Sequence, residues 1–168
     1  SESLAEMTRR LASIPLLCQP GGQWNYSVAT DVLGRLVEVL SGMSLADFFR
    51  QRIFAPLKMI DTGFSVPEQT QHRFASLYGP AVGGDMSSVG GGAAPVPQEK
   101  RGGLVLQESS TQSVYFEEPM SCSGGGGLVS TIGDYARFCQ MLINEGELEG
   151  ERLLAPSTLR YMRTNQLP

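Results

Sequence analysis

Residues 20–34 read PGGQWNYSVATDVLG, and this stretch indicates how the chain is built. The Pro-Gly pair at its start is typical of a turn. Apolar residues then recur at helical spacing through Leu40. We therefore expect a helix that begins at Tyr26 or Ser27, has Ser27 as its N-cap and ends at Gly42. Tyr26 would then open this helix directly after the turn.

The helix predicted from this stretch carries a wide apolar face. Residues at such spacing normally turn toward a packing partner. The face comprises Val28, Val32, Leu36, Val39 and Leu40, and it is widened by Leu33 and Val37. With the next predicted helix, over residues 44–55, the segment forms a helix pair joined by a tight turn.

The chain as a whole is predicted to be mainly α with small β-hairpins. Capping patterns and apolar spacing predict further helices over residues 3–14 and 131–144, and another from Pro156 onward. A tight turn at Glu149-Gly150 has short extended flanks. No strand–helix–strand alternation occurs, so a parallel sheet is not expected. The helix over 131–144 is expected to bury Ile132, Tyr135, Phe138, Cys139 and Leu142.

Residues 80–120 are interpreted as an insert in a single partial domain that spans residues 1–168. Residues 80–103 are rich in Gly, Pro, Ser and Ala, which is typical of loops and linkers. Residues 104–107 and 114–117 favour pairing as a short hairpin.

Composition argues against several classes of function. A formal net charge of −4 with scattered basic residues does not suit a nucleic-acid-binding face. No apolar run approaches the roughly 18 residues of a membrane-spanning helix. We expect a soluble protein with no nucleic-acid or membrane partner, and the cytoplasm and periplasm of a bacterium both stay open. Cys18, Cys122 and Cys139 lack close pairs, so we expect packed thiols and no metal site.

Tyr26 is the strongest candidate for chemistry. A phenol ordinarily titrates near about pH 10, but a neighbouring ammonium group or a helix N-terminus favours the phenolate. A tyrosine in such a setting can take a proton from a serine hydroxyl and return it to a leaving group. The alternative is a tyrosine at a helix start whose ring packs and whose hydroxyl finds one partner.

The usual partners of such a tyrosine are absent from these residues. A Ser-x-x-Lys arrangement places both side chains on one helix face. The two lysines are Lys58 and Lys100, and Ala55 and Pro97 stand three residues before them. Lys100-Arg101-Gly102 is the nearest string to a Lys-Thr-Gly motif, and we interpret it as solvated loop charge.

Two other features have structural interpretations. The glycine run over residues 124–127 lacks the Gly-Lys-Ser/Thr ending of a phosphate loop. We expect it to permit close backbone approach before the helix over 131–144. His72 is the only histidine, lies in a polar stretch and has no Gly-x-Ser-x-Gly elbow to serve, so we expect a surface residue.

Four strings stand in order along the chain. The first is Pro20-Gly21-x-x-Trp24-x-Tyr26-Ser27 with Asp31-Val32-Leu33-Gly34 and Glu38. The others are PLKMIDTGF (56–64), SGGGGLVSTIGDYARF (123–138) and GERLLAPST (150–158). Together they resemble the serine beta-lactamase-related superfamily of class C beta-lactamases, D-alanyl-D-alanine carboxypeptidases and family VIII carboxylesterases. The esterase branch resembles them most.

The resemblance implies the helical region of an α+β beta-lactamase/transpeptidase-like fold, with no cofactor. In the family, the nucleophilic serine and its lysine lie upstream of the tyrosine, and a closing strand lies downstream. Tyr26 would carry over as the general base and acid. Trp24 would wall the acyl pocket, or else pack as a helix-entry aromatic. Val28 stands where class C enzymes have asparagine, which favours ester over beta-lactam substrates and adds Val28 to the substrate-binding residues.

Two hypotheses follow. The first is a fragment of a serine hydrolase that acts on small esters or amides through an acyl-enzyme and is inactive alone. The second is a non-catalytic binding domain that kept the fold without the chemistry, motivated by the missing Ser-x-x-Lys. Under either, the chain alone is expected to hydrolyse nothing. A fragment should also expose the apolar face that met the absent part of the fold, which favours a homo-oligomer.

Overall fold

The computed structural model describes residues 3–80 and 103–167. Five helices and four short strands are assigned within these ranges. The helices are α1 Leu4–Leu11, α2 Ala29–Ser41, α3 Leu45–Phe49, α4 Ile132–Ile143 and α5 Pro156–Met162. The strands are β1 Leu77–Pro80, β2 Leu104–Glu108, β3 Glu147–Leu148 and β4 Glu151–Arg152. The prediction of a mainly helical chain with small hairpins is confirmed. Most of the loop predicted over 80–103, including Lys100 and Arg101, lies outside the described residues.

Four predicted helix starts are confirmed, because each depends on a local cap. The hydroxyls of Ser3, Ser44 and Thr131 accept hydrogen bonds from the backbone N–H three residues on, at 3.1–3.2 Å. Pro156 occupies the first turn of α5, where its missing N–H costs nothing. α3 continues without a break into a π-helical turn, Arg50–Phe54.

The start of α2 corrects the prediction. The helix begins at Ala29, so Tyr26 precedes it in irregular backbone. The Ser27 hydroxyl accepts from the Ala29 N–H at 3.1 Å in a local turn. Helical bonding begins with the Val28 carbonyl, which accepts from the Asp31 and Val32 N–H groups. Gly42 ends the helix in the left-handed conformation, as expected.

The chain divides into two compact units, and the first comprises Ser1–Ser65 with Glu118–Pro168. It holds two groups of buried side chains. One consists of Phe54, Leu57, Met59, Met141 and Leu148, and the other of Leu4, Leu45 and Phe64. Phe49 packs against both groups, so the helical turns of α3 link them.

The burial of α4 differs from the prediction. Asp134 and Met141 are its buried residues, with Phe138 and Leu142 packed beside them. Ile132 is 92% exposed, and Tyr135 also faces solvent. The buried set follows the spacing i, i+4, i+7, which includes an aspartate that hydropathy alone assigns to the surface.

The second unit is Val66–Glu117. β1 and β2 pair antiparallel within it, with Tyr78 opposite Leu106. The predicted pairing of 104–107 with 114–117 is therefore wrong. Residues Val114–Phe116 instead form a 3₁₀ turn, capped by the Ser113 hydroxyl and packed against Phe74. In the first unit, β3 and β4 form the predicted hairpin around Glu149-Gly150.

Candidate active site

Trp24 and Tyr26 form an exposed aromatic pair just before α2. Their ring centroids are 6.5 Å apart and the planes meet at 62°, an edge-to-face arrangement. Tyr26 is 62% exposed and Trp24 is 65% exposed. Each ring contacts the other and leaves most of its surface open to solvent. Asn25, between them, donates from its side-chain amide to the Cys18 sulfur at 3.4 Å.

Val28 joins this pair to the helix through its backbone. Its carbonyl accepts the first two helical hydrogen bonds of α2, and its side chain is half exposed. Trp24, Tyr26 and Val28 thus lie on one short stretch leading into the N-terminus of α2. A helix N-terminus carries a partial positive charge that favours nearby negative charge.

The first turn of α2 is tied to a distant glycine-rich segment. The Ser123 hydroxyl donates to Asp31 Oδ1, and the Gly124 N–H donates to the same oxygen at 3.1 Å. The Ser123 oxygen in turn accepts from the Gly125 N–H at 3.0 Å. Sequence reasoning assigned no role to Asp31 or Ser123 beyond their place in the quoted strings.

The expected close backbone approach of the glycine run is confirmed. A Cβ added to Gly124 would lie 2.1 Å from the Thr30 carbonyl oxygen, and one on Gly125 would lie 2.7 Å from the Thr30 hydroxyl. Gly34 faces Gly124 from within α2, with 3.3 Å between an added Cβ and the Gly124 Cα. Only glycine allows this contact without displacement.

A second carboxylate, that of Asp134, joins the first turn of α4 to the turn at residues 61–62. Asp134 is 6% exposed and accepts from the Asp61 N–H at 2.7 Å and the Thr62 hydroxyl at 2.8 Å through Oδ2. The Thr62 oxygen also lies 2.8 Å from the Ser130 hydroxyl. Gly63 and Val129 exchange backbone hydrogen bonds nearby. The sequence signal for this site was Thr131-x-x-Asp134, which predicted only a cap.

Among the described residues, three titratable groups are shifted from their ordinary pKa values, and the hydrogen bond to Glu149 raises the pKa of Arg137. Hydrogen bonds from Arg137 and Lys58 lower the pKa of Glu149 to about 2. These three residues tie α4 to the β3–β4 turn and to the turn after the π-helical segment. Burial, and then the charge of Glu118, raise the pKa of the Cys122 thiol. All three groups lie away from Tyr26 in sequence, and their pKa shifts have structural causes.

The apolar face of α2 is largely exposed. Val37 packs against the core and Gly34 is buried. The exposed members are Val28, Val32, Leu33, Leu36, Val39 and Leu40, the last at 78%. Contiguous apolar surface of this kind commonly marks a contact surface.

Neither a metal site nor a membrane span is evident in the described ranges. Within residues 3–80 and 103–167, no three His, Cys, Asp or Glu side chains converge as ligands for an ion. Over the same ranges, each helix is too short or too polar to cross a bilayer. His72 is exposed at the end of a 3₁₀ segment, as expected.

The sequence profile of the family described as Beta-lactamase matches residues 1–168. The chain belongs to the beta-lactamase family. Its architecture is the helical portion of the beta-lactamase/transpeptidase-like fold, as the sequence strings implied.

Several known proteins resemble the chain over most of its length. Esterase EstB of Burkholderia gladioli is 37% identical over 83% of this chain and 34% of its own length. An uncharacterized protein of Mycobacterium tuberculosis (strain CDC 1551 / Oshkosh) is 34% identical over 94% of this chain and 34% of its own. The structure of EstCE1, a hydrolase with promiscuous acyltransferase activity, superposes with a TM-score of 0.68 at 26% identity. The match covers 97% of this chain and 40% of the EstCE1 chain. The chain spans about a third of the length of these curated relatives.

Proposed function

We propose that this chain is the helical part of a longer serine hydrolase or acyltransferase that works through an acyl-enzyme. Tyr26 is its general base and acid, and Trp24 and Val28 border the acyl group. The observation that carries the proposal is the open Trp24–Tyr26 pair at the N-terminus of α2 in a beta-lactamase family member. A phenol kept accessible at that position is available to exchange protons.

The proposed chemistry assigns one proton path to Tyr26. The phenolate oxygen accepts the proton of a serine hydroxyl as that oxygen attacks the substrate carbonyl. The phenol then returns the proton to the departing alkoxide. In the second half-reaction, Tyr26 takes a proton from water or an alcohol as its oxygen attacks the acyl-enzyme carbonyl, and the phenol returns that proton to the serine oxygen as the acyl–serine bond breaks. An alcohol in place of water makes the same steps an acyl transfer.

Small esters are the proposed substrates. Support comes from Val28, an apolar side chain where class C beta-lactamases have asparagine, and from similarity to an esterase and to a hydrolase with acyltransferase activity. The valine side chain offers no hydrogen bond to an amide or lactam, so at this position valine in place of asparagine weakens the binding of esters less than that of amides.

The test is hydrolysis of p-nitrophenyl butyrate by the full-length protein. Tyr26→Phe removes the proton carrier and keeps the ring, so kcat is expected to fall by about 10²–10⁴-fold. Tyr135→Phe is the matched control, because Tyr135 is also 62% exposed and stacks on Phe138. Unchanged turnover in Tyr26→Phe would remove Tyr26 from the mechanism.

We also propose that the 168-residue chain does not acylate. It contains no Ser-x-x-Lys pair, so a fluorophosphonate probe should label the full-length protein and leave the chain unlabelled. Rapid stoichiometric labelling of the chain would contradict this. A binding role without catalysis would instead show as ester binding with no turnover in the full-length protein.

The exposed face of α2 supports self-association of the chain in isolation. Burial of Leu36, Val39 and Leu40 against a second copy would remove apolar surface from water. Light scattering should show a dimer or larger species that Leu36→Lys/Leu40→Lys converts to monomer. A monomeric wild-type chain at high concentration would refute the proposal.

A further inference from the structure

Asp31 joins two segments of the chain at the first turn of α2, which begins three residues after Tyr26. Its Oδ1 accepts hydrogen bonds from the Ser123 hydroxyl and the Gly124 N–H, across 92 and 93 residues of sequence. Both donors lie on one side of the carboxylate and belong to consecutive residues. The pair of bonds therefore restricts both the position and the orientation of the segment.

The glycine contacts make this attachment tight. The Gly124 backbone lies against the Thr30 carbonyl so closely that a methyl group would overlap it. Gly125 meets the Thr30 hydroxyl in the same way, and the Ser123 oxygen accepts from the Gly125 N–H. Residues 123–125 therefore hold the first turn of α2 in place through these hydrogen bonds and close contacts.

Tyr26 lies three residues before the start of α2. Between them, the Ser27 hydroxyl holds the Ala29 N–H, and the Val28 carbonyl accepts from the Asp31 and Val32 N–H groups. Ser27, Val28, Ala29 and Asp31 therefore all take part in local hydrogen bonds. The exposed Tyr26 ring has few packing contacts of its own, so its placement depends on the backbone to which it is attached.

We propose that Asp31 is a positioning residue for Tyr26. By binding Ser123 and Gly124, it fixes the first turn of α2 and so the place from which the phenol reaches substrate. This inference rests on the proposed function of Tyr26. A displacement of about 1 Å at a reacting group can slow a reaction about 100-fold. A residue that touches no substrate can therefore control turnover.

The experiment is a double-mutant cycle in the full-length protein, with p-nitrophenyl butyrate as substrate. The variants are Asp31→Ala, Asp31→Asn, Tyr26→Phe and Asp31→Ala/Tyr26→Phe. Asp31→Ala should lower kcat about 10- to 100-fold with KM within about threefold. Asp31→Asn keeps an acceptor oxygen, so it should recover most of kcat. Asp47→Ala removes an exposed capping carboxylate on α3 and should leave kcat unchanged.

The double variant separates positioning from simple structural support. If Asp31 acts through the phenol, Asp31→Ala should change kcat by less than about twofold once Tyr26 is Phe. A full additional loss in that background, or normal kcat in Asp31→Ala, overturns the positioning role and leaves Tyr26 catalytic. Normal kcat in Tyr26→Phe overturns the proposed function and the inference together. If Asp31→Ala fails to fold, Ser123→Ala and its double variant with Tyr26→Phe test the same bond.

Discussion

Replacing Asp134 with alanine should destabilise the protein more than removal of an exposed carboxylate does. The side chain is buried, and Oδ2 receives the Asp61 N–H at 2.7 Å and the Thr62 hydroxyl at 2.8 Å. Alanine removes the oxygen that accepts both bonds and leaves a space next to two partly buried donors. A buried donor that loses its acceptor is penalised more than the mean strength of a hydrogen bond suggests.

The magnitude can be worked from these contacts. A hydrogen bond to a charged group contributes about 1.5–3 kcal/mol, and this applies to the Asp61 N–H. The Thr62 hydroxyl still has the Ser130 hydroxyl as a partner at 2.8 Å, so the loss of its bond to Asp134 costs about 0.5–1 kcal/mol. Negative charge in the first turn of α4 contributes a further roughly 0.3–1 kcal/mol. The expected loss for Asp134→Ala is therefore about 2–5 kcal/mol.

Equilibrium urea unfolding, followed by circular dichroism at pH 7, measures this loss. Asp134→Asn keeps the shape and one acceptor oxygen, so its loss should be about 1–2 kcal/mol. Asp47→Ala removes an exposed first-turn carboxylate from α3 and should lose less than about 1 kcal/mol. The reasoning is refuted if Asp134→Ala is no more destabilising than Asp47→Ala.

Three further predictions concern other parts of the first unit. Because Arg137 and Lys58 lower the pKa of Glu149 from 4.5 to about 2, the ion pairs stabilise the fold fully above about pH 4.5 and lose this effect as pH falls toward 2. The Tm of Glu149→Gln should therefore fall less over that range than the Tm of wild type, and parallel curves would contradict this. Burial and the charge of Glu118 raise the pKa of the Cys122 thiol, so in a Cys18→Ser/Cys139→Ser background Cys122 should react with DTNB at pH 7.5 more slowly than a cysteine peptide does. Glu118→Gln should increase this rate. Equal rates for Cys122 and the peptide would exclude the raised pKa. Gly124→Ala places a Cβ 2.1 Å from the Thr30 carbonyl oxygen and should lower Tm by several degrees. Gly126→Ala is the control, because its Cβ meets open space and should leave Tm unchanged. Equal Tm values for the two variants would refute the close approach.

Local features were readable along the chain. Ser3, Ser44, Thr131 and Pro156 each define a helix start through a bond, or a missing N–H, within three residues. The β3–β4 hairpin was readable for the same reason, since Glu149 and Gly150 both adopt positive φ in a two-residue turn. The family strings were also visible, because residue identity alone carries them. Where only short-range chemistry is involved, the sequence specifies the outcome directly.

Features that depend on distant partners could not be read this way. The order of residues gives no sign that Leu104–Glu108 pairs upstream with β1, or that Ile132 and Tyr135 of α4 face solvent. Hydropathy placed Asp134 outside, yet its bonds to residues 61 and 62 bring it in. The hydrogen bond between Asp31 and Ser123 joins residues 92 positions apart. Local bonds are encoded by neighbouring residues, whereas the direction of a helix face and the partner of a buried carboxylate are decided when the chain packs.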